Sequence, residues 1–97
     1  MTIQDLIINI SSVNEESVIY AKKLEGHFDS NSEIIILELT EEEQQMKTFE
    51  IIALKCPSFS YFLETFMVKE MVEDLLLINS SLDEIVSTVI HYAEYDA

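Results

Sequence analysis

Cys56-Pro57-Ser58-Phe59-Ser60-Tyr61-Phe62-Leu63-Glu64-Thr65-Phe66 supports two opposed readings, and the architecture turns on which one holds. Phe59, Phe62, Leu63 and Phe66 recur at helical spacing, with Pro57 where the first turn of a helix tolerates a missing N–H. Ser58-Phe59-Ser60-Tyr61 instead alternates polar and apolar, as a half-buried strand does. From the residues alone both stay open. Just downstream, Met67 to Val72 reads as strand, and Leu75 to Ile78 as its continuation or as a separate strand ahead of a final helix.

Upstream, Leu6-Ile7-Ile8-Asn9-Ile10 is short, apolar and β-branched and is followed by Ser11-Ser12, which predicts a buried strand. Asn14 is placed to cap a helix with Glu15 and Glu16 in its first turn. Val18, Ala21 and Leu24, with Phe28 as an extension, carry the apolar spacing, and Gly26 stops or loosens the helix. Asp29-Ser30-Asn31-Ser32 is turn chemistry, and the run Ile34-Ile35-Ile36-Leu37 inside Glu33 to Leu39 predicts a strand buried on both faces. Thr40 with Glu43 forms a capping-box pattern before a helix from Glu41 to about Ile52, its stripe carried by Met46, Phe49 and Ala53. Ser81 with Glu84 repeats the pattern before Leu82, Ile85, Val86, Val89 and Ala93, a helix running to about Glu94. Strands separated by helices imply parallel neighbours joined by crossovers, hence an α/β fold.

With 97 residues, 48% of them apolar, and one glycine and one proline, the chain is expected to fold as a single domain over 1–97. Cys56 is the only cysteine and cannot close a disulfide within the chain, and no basic-then-apolar leader is evident, so a cytoplasmic location is expected. No apolar run approaches the roughly 20 residues that span a bilayer. Nineteen acids face five lysines and no arginine, a formal net charge of -14. Direct nucleic-acid binding draws on Lys and Arg that displace counterions, so this balance argues against it and makes any charged partner basic. His27 and His91 fall on different expected helices without ligand spacing, and neither a glycine-rich phosphate loop nor a nucleophile motif is present. No metal, cofactor or catalytic residue is therefore assigned. The aromatic residues mostly occupy core-periodic positions, with Tyr92 and Tyr95 as exceptions.

Taken with a strand after Pro57, the order strand, helix, strand, helix, proline, strand, strand, helix resembles the thioredoxin-like family without its N-terminal strand and helix. Phe49 to Phe62 is similar to that family's passage from its second core helix into the cis-proline and the aromatic strand beyond. By the same resemblance, Ile8 to Val13 stands where the strand before the redox motif would be, and Asn14 to Leu24 where the motif and its helix would be. The CxxC motif is missing, and Asn14 and Ser17 hold its places. The chain also lacks the Trp before the motif and the Gly after the hairpin, and it carries an insertion around Leu75 to Asn79. The resemblance implies a mixed sheet of about four strands with about three helices in the order β-α-β-α-β-β-α. Disulfide exchange needs a low-pKa thiolate and a resolving thiol, neither of which Asn14 or Ser17 supplies. The implied function is a redox-inactive, non-enzymatic protein-binding or scaffold domain. Its site would comprise Asn14, Glu15, Glu16, Ser17, Cys56, Pro57 and Ser58, with Cys56 beside the empty motif if Pro57 is cis. Two other readings stay open: a monothiol or glutathione-linked activity through Cys56, and an acidic inhibitor that mimics nucleic acid.

Overall fold

The computed structural model describes residues 1 to 96. The N-terminal run expected as a strand over Leu6 to Ile10 is instead helix α1 (Ile3–Ile8), followed by a 3-10 turn (Ile10–Ser12). Thr2 and Asp5 account for the difference. The Asp5 N–H donates to the Thr2 hydroxyl at 3.2 Å and the Thr2 N–H donates to the Asp5 carboxylate at 3.0 Å, a capping box that starts the helix. Ile3, Leu6, Ile7 and Ile10 then share one buried face at three- and four-residue spacing.

The helix expected from Asn14 is also absent. Asn14 closes a turn: its side-chain oxygen accepts from the Glu16 N–H and its carbonyl accepts from the Ser17 N–H, after which the chain extends into strand β1 (Val18–Ala21). Beyond β1, Glu25 and Gly26 both take positive φ, 52° and 84°, while Leu24 and His27 exchange two backbone hydrogen bonds across them. Two central residues with positive φ match the hairpin turn that follows the twist of its flanking arms, and glycine adopts that backbone without a steric penalty. Strand β2 (Ile34–Leu37) returns antiparallel to β1, within the stretch expected as strand, with Val18 opposite Leu37 and Ala21 opposite Ile34.

The helix expected from Glu41 to Ile52 is two helices, α2 (Glu41–Gln44) and α3 (Thr48–Lys55). The Thr40–Glu43 capping box starts the first. Lys47 is extended, and its N–H donates to the Glu50 carboxylate at 2.9 Å, which begins the second. The Met46 side chain meanwhile turns inward. The ambiguous stretch becomes strand β3 (Ser60–Glu64) and then, without a linker, helix α4 (Thr65–Leu77). The strands expected over Met67 to Val72 and Leu75 to Ile78 are part of that helix, because Thr65, Val68 and Val72 fall on one buried side. Helix α5 (Leu82–Tyr95) begins at the expected Ser81–Glu84 box and buries Ile85, Val86 and Val89.

The fold is α/β, with three strands rather than about four, all antiparallel, in the order β2-β1-β3. The chain order α-β-β-α-α-β-α-α replaces β-α-β-α-β-β-α, and no parallel crossover occurs among the described residues. The run Ile34 to Leu37 lies at a sheet edge, its last three residues half-buried, rather than in a strand covered on both faces. Every described peptide bond is trans, that between Cys56 and Pro57 included. No described helix is long and apolar enough to cross a membrane.

The sheet separates two cores. Ile19 and Ala21 of β1 face α1, α4 and α5, while Val18 and Tyr20 face Ile51 and Cys56 on the side of α3. Period-two alternation produces this split in β1, and a bulge alters it in β3. The register slips between Ile19 and Tyr20, so that Ile19 opposes Leu63 while Tyr20 opposes Tyr61. Phe62 is the extra residue. It joins Leu63 in the larger core, where its ring meets Phe28 edge-on at 5.0 Å between centroids. Phe62→Ala is expected to cost about 3–5 kcal/mol of unfolding free energy, whereas Phe49→Ala, at a position 67% exposed, changes it by no more than about 0.5 kcal/mol; urea titration of both variants checks the contrast.

Candidate functional site

At the end of the sheet where β1 begins and β2 and β3 finish, a groove of about 940 Å3 opens to solvent. The turn Asn14 to Ser17 forms one wall and Glu38, Leu39 and α2 another, while Phe66 at the start of α4 closes an end. Val18, Tyr20, Tyr61, Met46 and Ile51 supply an apolar and aromatic floor. Glu15, Glu16, Glu38, Glu41, Glu43 and Glu64 surround it, and no lysine or arginine is among the described residues that line it.

Local contacts hold these walls in place. The Asn14 side-chain amide donates to Glu38 at 2.6 Å, tying the turn to the end of β2. Ser17 Oγ donates to the Asn14 carbonyl at 2.5 Å and lies 2.7 Å from Thr65 Oγ1. A hydroxyl carries one proton, so Thr65 must be the donor in that second bond. The Thr65 N–H also donates to the Ser17 carbonyl at 3.1 Å, which fastens the turn to the head of α4. Glu43, on the opposite wall, is reached at 2.5 Å by Lys55, which itself does not line the groove. The Lys55 hydrogen bond, followed by the Thr40 backbone N–H, holds the Glu43 carboxyl below the usual carboxylate range.

In the floor, the Tyr20 and Tyr61 rings meet edge-on, 6.2 Å apart, and the Tyr61 hydroxyl donates to the Glu64 carboxylate. Burial, and then the hydrogen bond to anionic Glu64, pushes the Tyr61 phenol well above its ordinary value. Burial, and then the proximity of Cys56 and Glu64, raises Tyr20. Cys56 packs behind this floor, 2% exposed, and burial raises its thiol as well. A thiol kept protonated and covered lacks the thiolate character and access of a nucleophilic cysteine.

The structure therefore divides the residues expected to form one site. Asn14, Glu15, Glu16 and Ser17 lie together on the groove, although Ser17 is buried and its hydroxyl is taken up internally. Cys56, Pro57 and Ser58 do not line it: Pro57 and Ser58 are exposed in the turn before β3, where Ser58 has a φ of 78°, and Cys56 is covered. The pairing of these two segments followed from the family resemblance with a cis bond before Pro57, and that bond is trans. Sequence reasoning missed Glu38, Glu64, Tyr20 and Tyr61 as groove residues, since only the antiparallel register brings the ends of three strands to one place. Glu41 and Glu43 line the groove from the helix start that the Thr40–Glu43 capping box predicts.

The chain matches no protein-family model, no curated protein and no solved structure. The residues of the groove are thus the basis for any functional reading.

Tyr20, Tyr61 and Cys56 are all neutral when protonated, and folding keeps each protonated to higher pH than in the unfolded chain. From the ordinary values of 9.0 for the thiol and 10.0 for the phenols upward, the unfolded chain loses these protons first. The stability they contribute is thus intact below that range and falls as pH rises through it. Urea midpoints should decline above about pH 9, and Tyr61→Phe, which removes one of the three protons, should show a shallower decline than the wild type over the same pH series.

Proposed function

We propose that this chain is a non-enzymatic protein-binding module whose groove receives a basic segment of a partner protein. One observation carries the reading: a groove of about 940 Å3 joins an apolar, aromatic floor to six glutamates, with no cation among its described lining residues. Its volume is in the range of binding pockets. Lysine and arginine side chains match such a surface in both parts, since their aliphatic stems pack on apolar groups while their heads pair with carboxylates. Five lysines against nineteen acids favour a basic partner over an acidic one.

The rest of the site favours binding over chemistry. Glu43 is engaged by Lys55, Glu38 by Asn14 and Glu64 by Tyr61, which leaves Glu15, Glu16 and Glu41 as the carboxylates free of side-chain hydrogen bonds among the described residues. Glu15 and Glu16 project from an exposed turn. Glu73, Asp74, Asp83 and Glu84 do not line the groove, so the acidity is not confined to it, whereas a nucleic-acid mimic requires its acids gathered on one face.

Fluorescence anisotropy with synthetic peptides that combine lysine or arginine with leucine or tyrosine tests the proposal. Binding should weaken steeply with added NaCl, and Glu15→Lys together with Glu16→Lys should lower affinity about tenfold, chiefly through slower association. Affinity that is independent of salt and unchanged in the double variant would refute the assignment of the groove.

A further inference from the structure

The far end of α4 carries a second surface that the groove does not use. Leu76, Leu77 and Ile78 are 57%, 82% and 71% exposed, and Leu82 at the start of α5 is 38% exposed. Leu75, beside them in sequence, packs against the core, so α4 is apolar on its inner and outer sides where it ends. A helix apolar all round usually has cover on both sides, and clustered exposed aliphatics mark interaction surfaces more often than isolated ones do.

Backbone hydrogen bonds close the tip. Asn79 takes a φ of 59°, the Asn79 N–H donates to the Leu76 carbonyl at 3.1 Å, and the Ser80 N–H donates to the Leu75 carbonyl at 3.0 Å. This pair of bonds around a left-handed residue is the Schellman helix ending. The next residue, Ser81, opens the capping box of α5, in which the Glu84 N–H donates to the Ser81 hydroxyl and the Ser81 N–H to the Glu84 carboxylate. The turn backbone is therefore hydrogen-bonded on both sides of Asn79 and presents its apolar residues in one arrangement. Docking on such a surface avoids much of the ordering cost that a loose loop would incur.

Charge selects the occupant. Glu70, Glu73, Asp74, Asp83 and Glu84 flank the tip, and no lysine or arginine occurs from residue 70 to residue 84. A second copy would bring these acids against themselves in a chain of net charge -14, and an anionic membrane surface would repel them in the same way. The geometry points to a second docking surface, in which Leu76, Leu77, Ile78 and Leu82 enter an apolar hollow of a partner protein bordered by Lys or Arg. Phe66 at the groove and Leu77 at the tip are eleven residues apart on α4, about 16 Å along the axis, so the two surfaces are distinct.

Selection of a displayed random dodecapeptide library against the full chain tests this, with counter-selection on the Leu77→Ser, Ile78→Ser double variant. Both positions are exposed, so the variant should keep the wild-type melting temperature and circular dichroism. The expected result is enrichment of peptides that combine large apolar residues with Lys or Arg. A synthesised example should bind at least about tenfold more weakly to the double variant and with unchanged affinity to Glu15→Lys, Glu16→Lys. Loss of binding only in the glutamate variant would place the peptides in the groove and overturn the tip proposal while leaving the groove reading intact. Failure to enrich any peptide that the leucine and isoleucine changes weaken would also overturn it. So would a dimer by light scattering that the double variant abolishes, or binding to phosphatidylserine vesicles, since each assigns the tip to a different occupant.

Discussion

The four residues of β1 are the constraint on which the molecule depends. Pairing on both edges makes Val18 to Ala21 the centre of the sheet, and its alternating side chains supply both cores at once. Ile19 and Ala21 anchor the layer of α1, α4 and α5, while Tyr20 anchors the smaller layer that holds α3. A one-residue slip would exchange these sets and place Tyr20 in the larger core. The β3 bulge adapts the neighbouring strand to this arrangement. It allows Phe62 and Leu63, adjacent in sequence, to enter the same core while Tyr61 stays with Tyr20.

From that sheet the groove follows. Its floor is the edge of the smaller core, where Val18, Tyr20 and Tyr61 meet Met46 and Ile51, and its walls are the segments that enter and leave the strands. The walls are polar because segments at strand ends carry turn and capping chemistry. Asn14 closes a turn, Thr40 and Glu43 begin a helix, and Glu64 stands at the head of α4. An excess of glutamate in such segments gives a groove that is apolar at its base and anionic at its rim. Carboxylates at helix starts stabilise those ends as well as setting the local field, so one residue serves folding and recognition together.

At the two capping boxes expected from the sequence, the structure contains the local hydrogen bonds. The Thr40–Glu43 and Ser81–Glu84 boxes form as their spacing indicates, and α5 keeps the length and buried face that its period suggests. Misreadings arose where an apolar run is compatible with either period. Leu6 to Ile10 and Met67 to Val72 are rich in strand-forming or flexible apolar residues, yet both are helical. In each case a helix start lies just upstream of the run, at Thr2 with Asp5 and at the junction of β3 with α4, and it outweighs the intrinsic preference of the residues that follow. The reverse occurs at Asn14, whose side chain satisfies a tight turn as readily as a helix end.

By itself the sequence determined that the chain folds with helices and strands, that it is strongly acidic, and that its last helix begins at Ser81. These properties depend on composition or on contacts within a few residues, and such contacts leave readable spacings. The tertiary structure alone decided that Val18 to Ala21 is the central strand, that all pairing is antiparallel, that Cys56 is covered, and that Glu64 and Tyr61 meet Glu16 and Glu38 around one groove. Each of these joins segments distant along the chain, and their relative placement is set by which apolar faces bury one another, a condition that no local spacing records.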